Sequence, residues 1–86
     1  MGAGRIQRRT VVLRPGDGLD YAAADWADTL VIVEHGELEL ECRSGRRARF
    51  AAGAVVTIVG LPVRRIRNSG PGPLVLSAVT RRSARR

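Results

Sequence analysis

From Asp28 to Asn68 the chain reads DTLVIVEHGELELECRSGRRARFAAGAVVTIVGLPVRRIRN. Short apolar or alternating runs are separated every few residues by a glycine, proline or polar turn, and no stretch keeps helical period for more than a turn. Period-2 runs with regularly spaced turns specify an all-β sandwich or barrel. The clearest hairpin is Glu37-Leu38-Glu39-Leu40-Glu41-Cys42, the loop Arg43-Ser44-Gly45, and Arg46 onward. Alternation points Leu38, Leu40 and Cys42 inward and the glutamates outward. A three-residue loop with glycine in the left-handed position sets Glu41 opposite Arg47, Glu39 opposite Arg49, Leu40 opposite Ala48 and Leu38 opposite Phe50. Opposite charges outside and apolar pairs inside agree with one register.

The same reading extends in both directions. Gln7–Leu13 is β-branched and apolar and stops at Arg14-Pro15-Gly16-Asp17-Gly18, a dense turn signal. Leu19–Ala24 is a short strand, and Asp25-Trp26-Ala27-Asp28 is a loop or a single helical turn. Thr29–Glu34 contains the continuous apolar run Leu30-Val31-Ile32-Val33, which calls for cover on both faces. Ala52-Gly53 turns the chain into Ala54–Val59, Gly60-Leu61-Pro62 into Val63–Asn68, and Ser69–Pro73 into Leu74–Thr80. About eight short antiparallel strands result, a number suited to a small single jelly-roll barrel. The domain spans 7–80, between a leader at 1–6 and a basic tail at 81–86.

Composition narrows the function classes. An 86-residue chain supports one domain with a modest core. The formal charge is +7, and all 15 basic residues are arginine. Eight of these, Arg5, Arg8, Arg9, Arg14, Arg81, Arg82, Arg85 and Arg86, stand near the termini, as solvated tails do. Aromatics are 3% of the chain and none lies among those arginines, so stacking platforms for single-stranded nucleic acid are missing. Nucleic-acid binding beyond non-specific attraction at low salt is not expected. The lone Cys42 excludes an internal disulfide and fits a reducing cytoplasm. No apolar run approaches a membrane span, and MGAGRIQRR lacks the apolar core of a signal peptide.

The turn anchors, taken with the strand count, resemble the cupin family, whose motifs are G-x5-H-x-H-x4-E-x6-G and G-x5-P-x-G-x2-H-x3-N. Gly16 and Gly36 stand 20 apart and Gly53 and Asn68 stand 15 apart, as those motifs require. The match runs from Gly16 to Thr80. In this register the metal-ligand slots hold Ala22, Ala24, Thr29 (with Asp28 beside it) and Arg64, while Val59 and Leu61 replace the second motif's proline and glycine. The resemblance therefore implies the barrel without its usual metal chemistry, and no cofactor is expected. It also implies a homodimer, in line with the strand Leu30–Val33 needing cover on its second face.

A metal centre needs His, Cys or carboxylates converging on one point. His35, the only histidine, falls in a hairpin turn, and Cys42 reads as a small core residue. In the cupin register Arg64 points with Ile66 into the barrel while Arg65 and Arg67 face out. A guanidinium cannot give up its proton, so a buried one needs a carboxylate or an anionic ligand. Asp28 or Asp25 could neutralise it within the chain, leaving a structural salt bridge; alternatively Arg64 anchors a small carboxylate or phosphate. Tyr21 and Trp26 flank the segment that closes one end, as pocket wall or as core plug. The ligand-site residues expected are Arg64, Tyr21, Trp26, Asp28 and Thr29, for an unidentified small molecule. The function read here is a metal-free cupin-like binding or regulatory module. A metal-independent isomerase or cyclase is the alternative, although only Tyr21, Asp25 and Asp28 could do its acid–base work.

Overall fold

A computed structural model describes residues 5–21, 26, 28–58 and 62–82. Eight strands follow one another: β1 Arg5–Leu13, β2 Gly18–Asp20, β3 Thr29–His35, β4 Glu37–Cys42, β5 Arg47–Ala51, β6 Val55–Thr57, β7 Val63–Asn68 and β8 Leu74–Arg82. They form two four-stranded antiparallel sheets, β1-β8-β3-β6 and β2-β7-β4-β5. The inner faces enclose a core of Leu13, Trp26, Val31, Val33, Leu38, Leu40, Val56, Ile58, Val63, Ile66, Leu74, Leu76 and Ala78. This is a jelly-roll sandwich, the architecture read from the alternation.

The β4–β5 hairpin keeps the register expected of it: Glu41 opposite Arg47, Leu40 opposite Ala48, Glu39 opposite Arg49 and Leu38 opposite Phe50. Gly45 holds φ at 92°, the left-handed position of its loop. Two details differ. β5 is an edge strand, so Ala48 is exposed and Phe50 only half-buried. Glu39 and Glu41 do face outward, yet both are buried. β4 lies between β5 and β7, and each glutamate has an arginine opposite it on both sides: Arg49 and Arg67 flank Glu39, Arg47 and Arg65 flank Glu41. The long guanidinium stems cover the carboxylates while supplying their countercharge.

Strand ends also differ from the sequence reading. β1 begins at Arg5 and β8 ends at Arg82, because Arg5 pairs with Arg82 and Ile6 with Arg81. Residues assigned to a leader and a tail thus extend the edge of a sheet. β2 stops at Asp20 and β6 covers Val55–Thr57; of the strand expected at Leu19–Ala24, Tyr21 already stands outside β2, and 22–24 lie outside the described residues. In β3 the inner Val31 and Val33 are fully covered, whereas Leu30 and Ile32, on the outer face, are half-buried.

One end of the sandwich is tied by a single side chain. Asn68 is 1% exposed. Its amide donates to the Leu13 carbonyl at 2.9 Å and to the Gly72 carbonyl at 2.8 Å. Its Oδ1 accepts from the Gly70 N–H at 2.9 Å. The Asn68 backbone adds bonds with Gly16 and Asp17 at 3.1 and 2.9 Å. The turns at 14–17 and 69–73 are so fastened to the end of β7. At the same end Gly36 carries the chain from one sheet to the other with φ at 87°, and a Cβ there would meet the Pro73 carbonyl oxygen at 2.4 Å.

Asn68→Ala removes three side-chain hydrogen bonds and strands a buried carbonyl, and should cost about 2–4 kcal/mol. Urea unfolding would show it as a lower midpoint with little change in slope. A loss within a few tenths of a kcal/mol would mean that the two turns hold themselves.

Candidate functional site

The opposite end gathers most of the residues singled out in the sequence. β3 and β4 are joined by the turn at Gly36, so the start of β3 and the finish of β4 lie together at the far end of the sandwich. Thr29 opens β3 and pairs with Thr80 near the finish of β8. Cys42 closes β4 and pairs with Val63 at the start of β7. Tyr21 follows β2 and donates its backbone N–H to the Arg64 carbonyl at 2.8 Å. Trp26 and Asp28 lead into β3.

Each of these side chains has a definite environment. Thr29 is buried, and its hydroxyl lies 2.9 Å from that of Thr80. Trp26 is buried in the core, as a plug would be, and the Arg9 guanidinium stands over its ring at 4.8 Å. That geometry is a cation–π contact. Tyr21 is half-buried and packs against the core. Cys42, read as a core residue, is half-buried and free. Asp28 is exposed, holds φ at 54°, and accepts the Arg81 N–H on its carbonyl at 3.3 Å. A small polar residue tolerates that left-handed backbone.

Arg64 departs from the expectation. Its side chain is 59% exposed and turns to the outer face of the sheet, where Glu41 lies, rather than into the barrel. The cause is a bulge between β4 and β7: Glu41 pairs with Arg65 but Cys42 pairs with Val63. Arg64 is the extra residue, and such an insertion breaks the alternation and re-aims a side chain. Val63 takes the inward place. The partner of Arg64 is Glu41, whose Oε2 accepts from Nη2 at 2.6 Å. Asp28 makes no such contact, and Asp25 lies outside the described residues. The Arg64 hydrogen bond holds the Glu41 carboxyl below its ordinary pKa, against the opposing effect of burial, with further help from the charges of Arg64, Arg47 and Arg67.

Sequence reading missed three participants. Thr80 and Arg9 enter through pairing of strands distant in sequence, for which no local signal exists. Glu41 was assigned to Arg47 across the hairpin; its second neighbour strand, β7, and the bulge in it supply Arg64.

Of the positions that the cupin motifs assign to metal ligands, Thr29 and Arg64 are placed as above, and Ala22 and Ala24 lie outside the described residues. His35 ends β3 beside Gly36, at the end tied by Asn68. Among the described residues no three His, Cys, Asp or Glu side chains are grouped to hold an ion.

The pH dependence of the rim follows from Glu41. Its folded pKa lies below its unfolded one, so the pair contributes fully above the ordinary glutamate value, roughly 4.3. That contribution fades as pH falls through the lower, folded value. Glu41→Gln should therefore flatten the acid limb of the stability curve below that value, as followed by thermal unfolding across pH. An unchanged acid limb would show that the Arg64–Glu41 pair does not favour the folded state.

No family model matches the chain, and no curated protein matches it in sequence. Solved structures do match. The cupin_2 domain of an XRE family transcriptional regulator from Enterobacter cloacae superposes with a TM-score of 0.72 at 21% identity, covering 93% of this chain and 83% of that one. A cupin 2 conserved barrel domain protein from Salinispora arenicola gives 0.64 at 22% identity, over 94% and 76%. A cupin domain from Bordetella pertussis gives 0.66 at 17% identity, over 92% and 83%. These identities speak for shared architecture. The fold of this chain is that of a small single-domain cupin barrel.

Proposed function

We propose that the chain is a metal-free cupin-like module that binds a small polar molecule at the end of the barrel opposite Asn68. The reading rests on one observation: the Thr29–Thr80 hydroxyl pair, Tyr21 and Arg64 gather at that end, where cupins carry their ligands. Hydroxyls and a phenol can orient a small organic molecule by hydrogen bonds against an apolar wall, here Trp26.

An anionic group on the ligand suits the rim. Arg43 and Arg46 in the β4–β5 loop, Arg47 at the start of β5 and Arg64 near the start of β7 belong to that end and are exposed. Glu41 is the carboxylate that Arg64 engages, so a guanidinium surplus remains for a carboxylate or phosphate. Arginine favours such groups through its planar set of donors.

Binding fits better than acid–base catalysis. A general acid near neutral pH needs a carboxyl pushed up in pKa, and Glu41 is held down by Arg64. Sensing or delivery of a ligand, with no bond made or broken, asks nothing more of these side chains.

The test is thermal-shift and calorimetric screening of the full chain against a panel of small carboxylates, dicarboxylates and sugar phosphates. A binder should lose about tenfold or more in affinity in Arg64→Ala, the loss of a charge-assisted hydrogen bond of roughly 1.5–3 kcal/mol. Thr29→Val should weaken it as well. Affinity unchanged in both variants would overturn the assignment of this end.

A further inference from the structure

β5 is the last strand of its sheet: β4 pairs with one side of it, and among the described residues no strand pairs with the other. The free side carries a definite set of groups. Opposed residues of an antiparallel pair alternate between those that exchange both backbone hydrogen bonds and those that exchange none. The Cys42 N–H donates to the Arg46 carbonyl at 2.8 Å. Counting by two from there, Leu40–Ala48 and Leu38–Phe50 are bonded pairs, and Glu41–Arg47 and Glu39–Arg49 are not. The N–H and C=O groups of Arg47 and Arg49 therefore point away from β4, along the open edge.

The same two residues carry the charge of that edge. Both side chains stand on the outer face and are exposed. Arg49 reaches Glu39 through Nε at 3.6 Å, whereas Arg47 is in no ion pair among the described residues and acts on Glu41 by its charge alone. Across this face Arg47, Arg49, Arg64, Arg65 and Arg67 meet Asp20, Glu37, Glu39 and Glu41, and Arg43 and Arg46 in the adjoining loop are exposed. Glu39 and Glu41 are buried beneath the guanidinium groups, so what reaches solvent along β5 is positive. On the inner face of β5, Ala48 is exposed and Phe50 is half-buried against the core. Apolar side chains laid beside them would leave water as well.

We propose that this edge takes an extended acidic peptide strand from a partner protein, added antiparallel to β5, with carboxylates beside Arg47 and Arg49 and apolar residues beside Ala48 and Phe50. A strand added to an open edge gains affinity through its backbone and selectivity through alternate side chains. β4 shows the matching pattern from the other side: its glutamates face Arg47 and Arg49, with leucines between them. Charge complementarity picks the occupant. Charged side chains on an edge fend off most strands, and the β5 of a second copy is among those excluded. Every antiparallel register that aligns the faces sets arginine opposite or diagonal to arginine, and like charges so placed repel. A phosphodiester backbone would suit the guanidinium groups but has no N–H for the Arg47 and Arg49 carbonyls. The surface lies outside the barrel, and the proposal does not depend on a ligand within it.

Fluorescence anisotropy of a labelled peptide alternating glutamate and valine, titrated with the full chain, tests the proposal. Methylating the glutamate nitrogens should weaken binding about tenfold or more, since those N–H groups bond the Arg47 and Arg49 carbonyls. Methylating the valine nitrogens instead, which face solvent, should leave it unchanged. Arg47→Glu should weaken binding about fivefold or more, an opposite-charge pair having become a like one. Arg47→Gln, which sets no new charge against Glu41, should weaken it in the same direction with the fold kept. Arg14→Gln, at the end held by Asn68, should change nothing. A peptide left unbound at ~100 µM chain, where a K of ~100 µM gives half-occupancy, overturns the proposal. So does binding indifferent to which nitrogens are methylated, or an oligothymidylate of equal charge that displaces the peptide as well as unlabelled peptide does; either makes the face a general surface for anions.

Discussion

Asn68 is the constraint on which the plan of this barrel rests. Two loops distant in sequence, 14–17 and 69–73, approach the end of β7, and neither has a regular partner for its backbone groups. A carboxamide offers two donors and an acceptor oxygen in a plane, and here both donors and the oxygen bond backbone groups. An aspartate would lose the donors, and a leucine all three contacts. With Gly36 passing under Pro73, this side chain commits one end of the sandwich to architecture. Thr29, Thr80, Tyr21, Cys42 and Arg64 stand at the other end.

Charge is handled differently on the two sheets. On β2-β7-β4-β5 the central glutamates sit beneath arginines from both neighbours, with Arg49 Nε 3.6 Å and Arg67 Nη1 4.0 Å from Glu39 and a close contact only between Arg64 and Glu41. Such exposed guanidinium contacts contribute little individually. Their effect is to let β4 carry two carboxylates that are buried by coverage yet fully compensated. On the outer face of the other sheet Arg8 pairs with Glu34 at 3.3 Å, and exposed Arg81 stands opposite Ile6.

How far the residues disclosed this depends on which forces are local. The β4–β5 register was legible because alternation, loop length and charge pairing all act within eleven residues and agree. The anchors Gly16, Gly36, Gly53 and Asn68 were legible as a spacing; what makes each necessary, a left-handed backbone at the glycines and the bond network at Asn68, appears only in three dimensions. Arg64 failed for a specific reason. Alternation counted from Ile66 sends it inward, and one extra residue opposite the Glu41–Cys42 step reverses that. Nothing in VRRIRN announces a bulge. The Thr29–Thr80 and Arg9–Trp26 contacts were equally hidden, since each joins residues distant in sequence that carry no mutual signature. Burial of Glu39 and Glu41 needed knowledge of the third strand, β7, on the far side of β4.

On the function proposed above, a metal-free barrel carries Thr29 and Arg64 at two of the positions that the cupin motifs assign to metal ligands. Elemental analysis of untagged, freshly purified protein addresses that claim most directly. The prediction is iron, zinc, manganese and nickel all far below one equivalent per chain, and unchanged thermal stability after treatment with a chelator. Near-stoichiometric metal whose removal lowers the melting temperature would contradict it, and would place the chemistry of this end in ligands other than those assigned here.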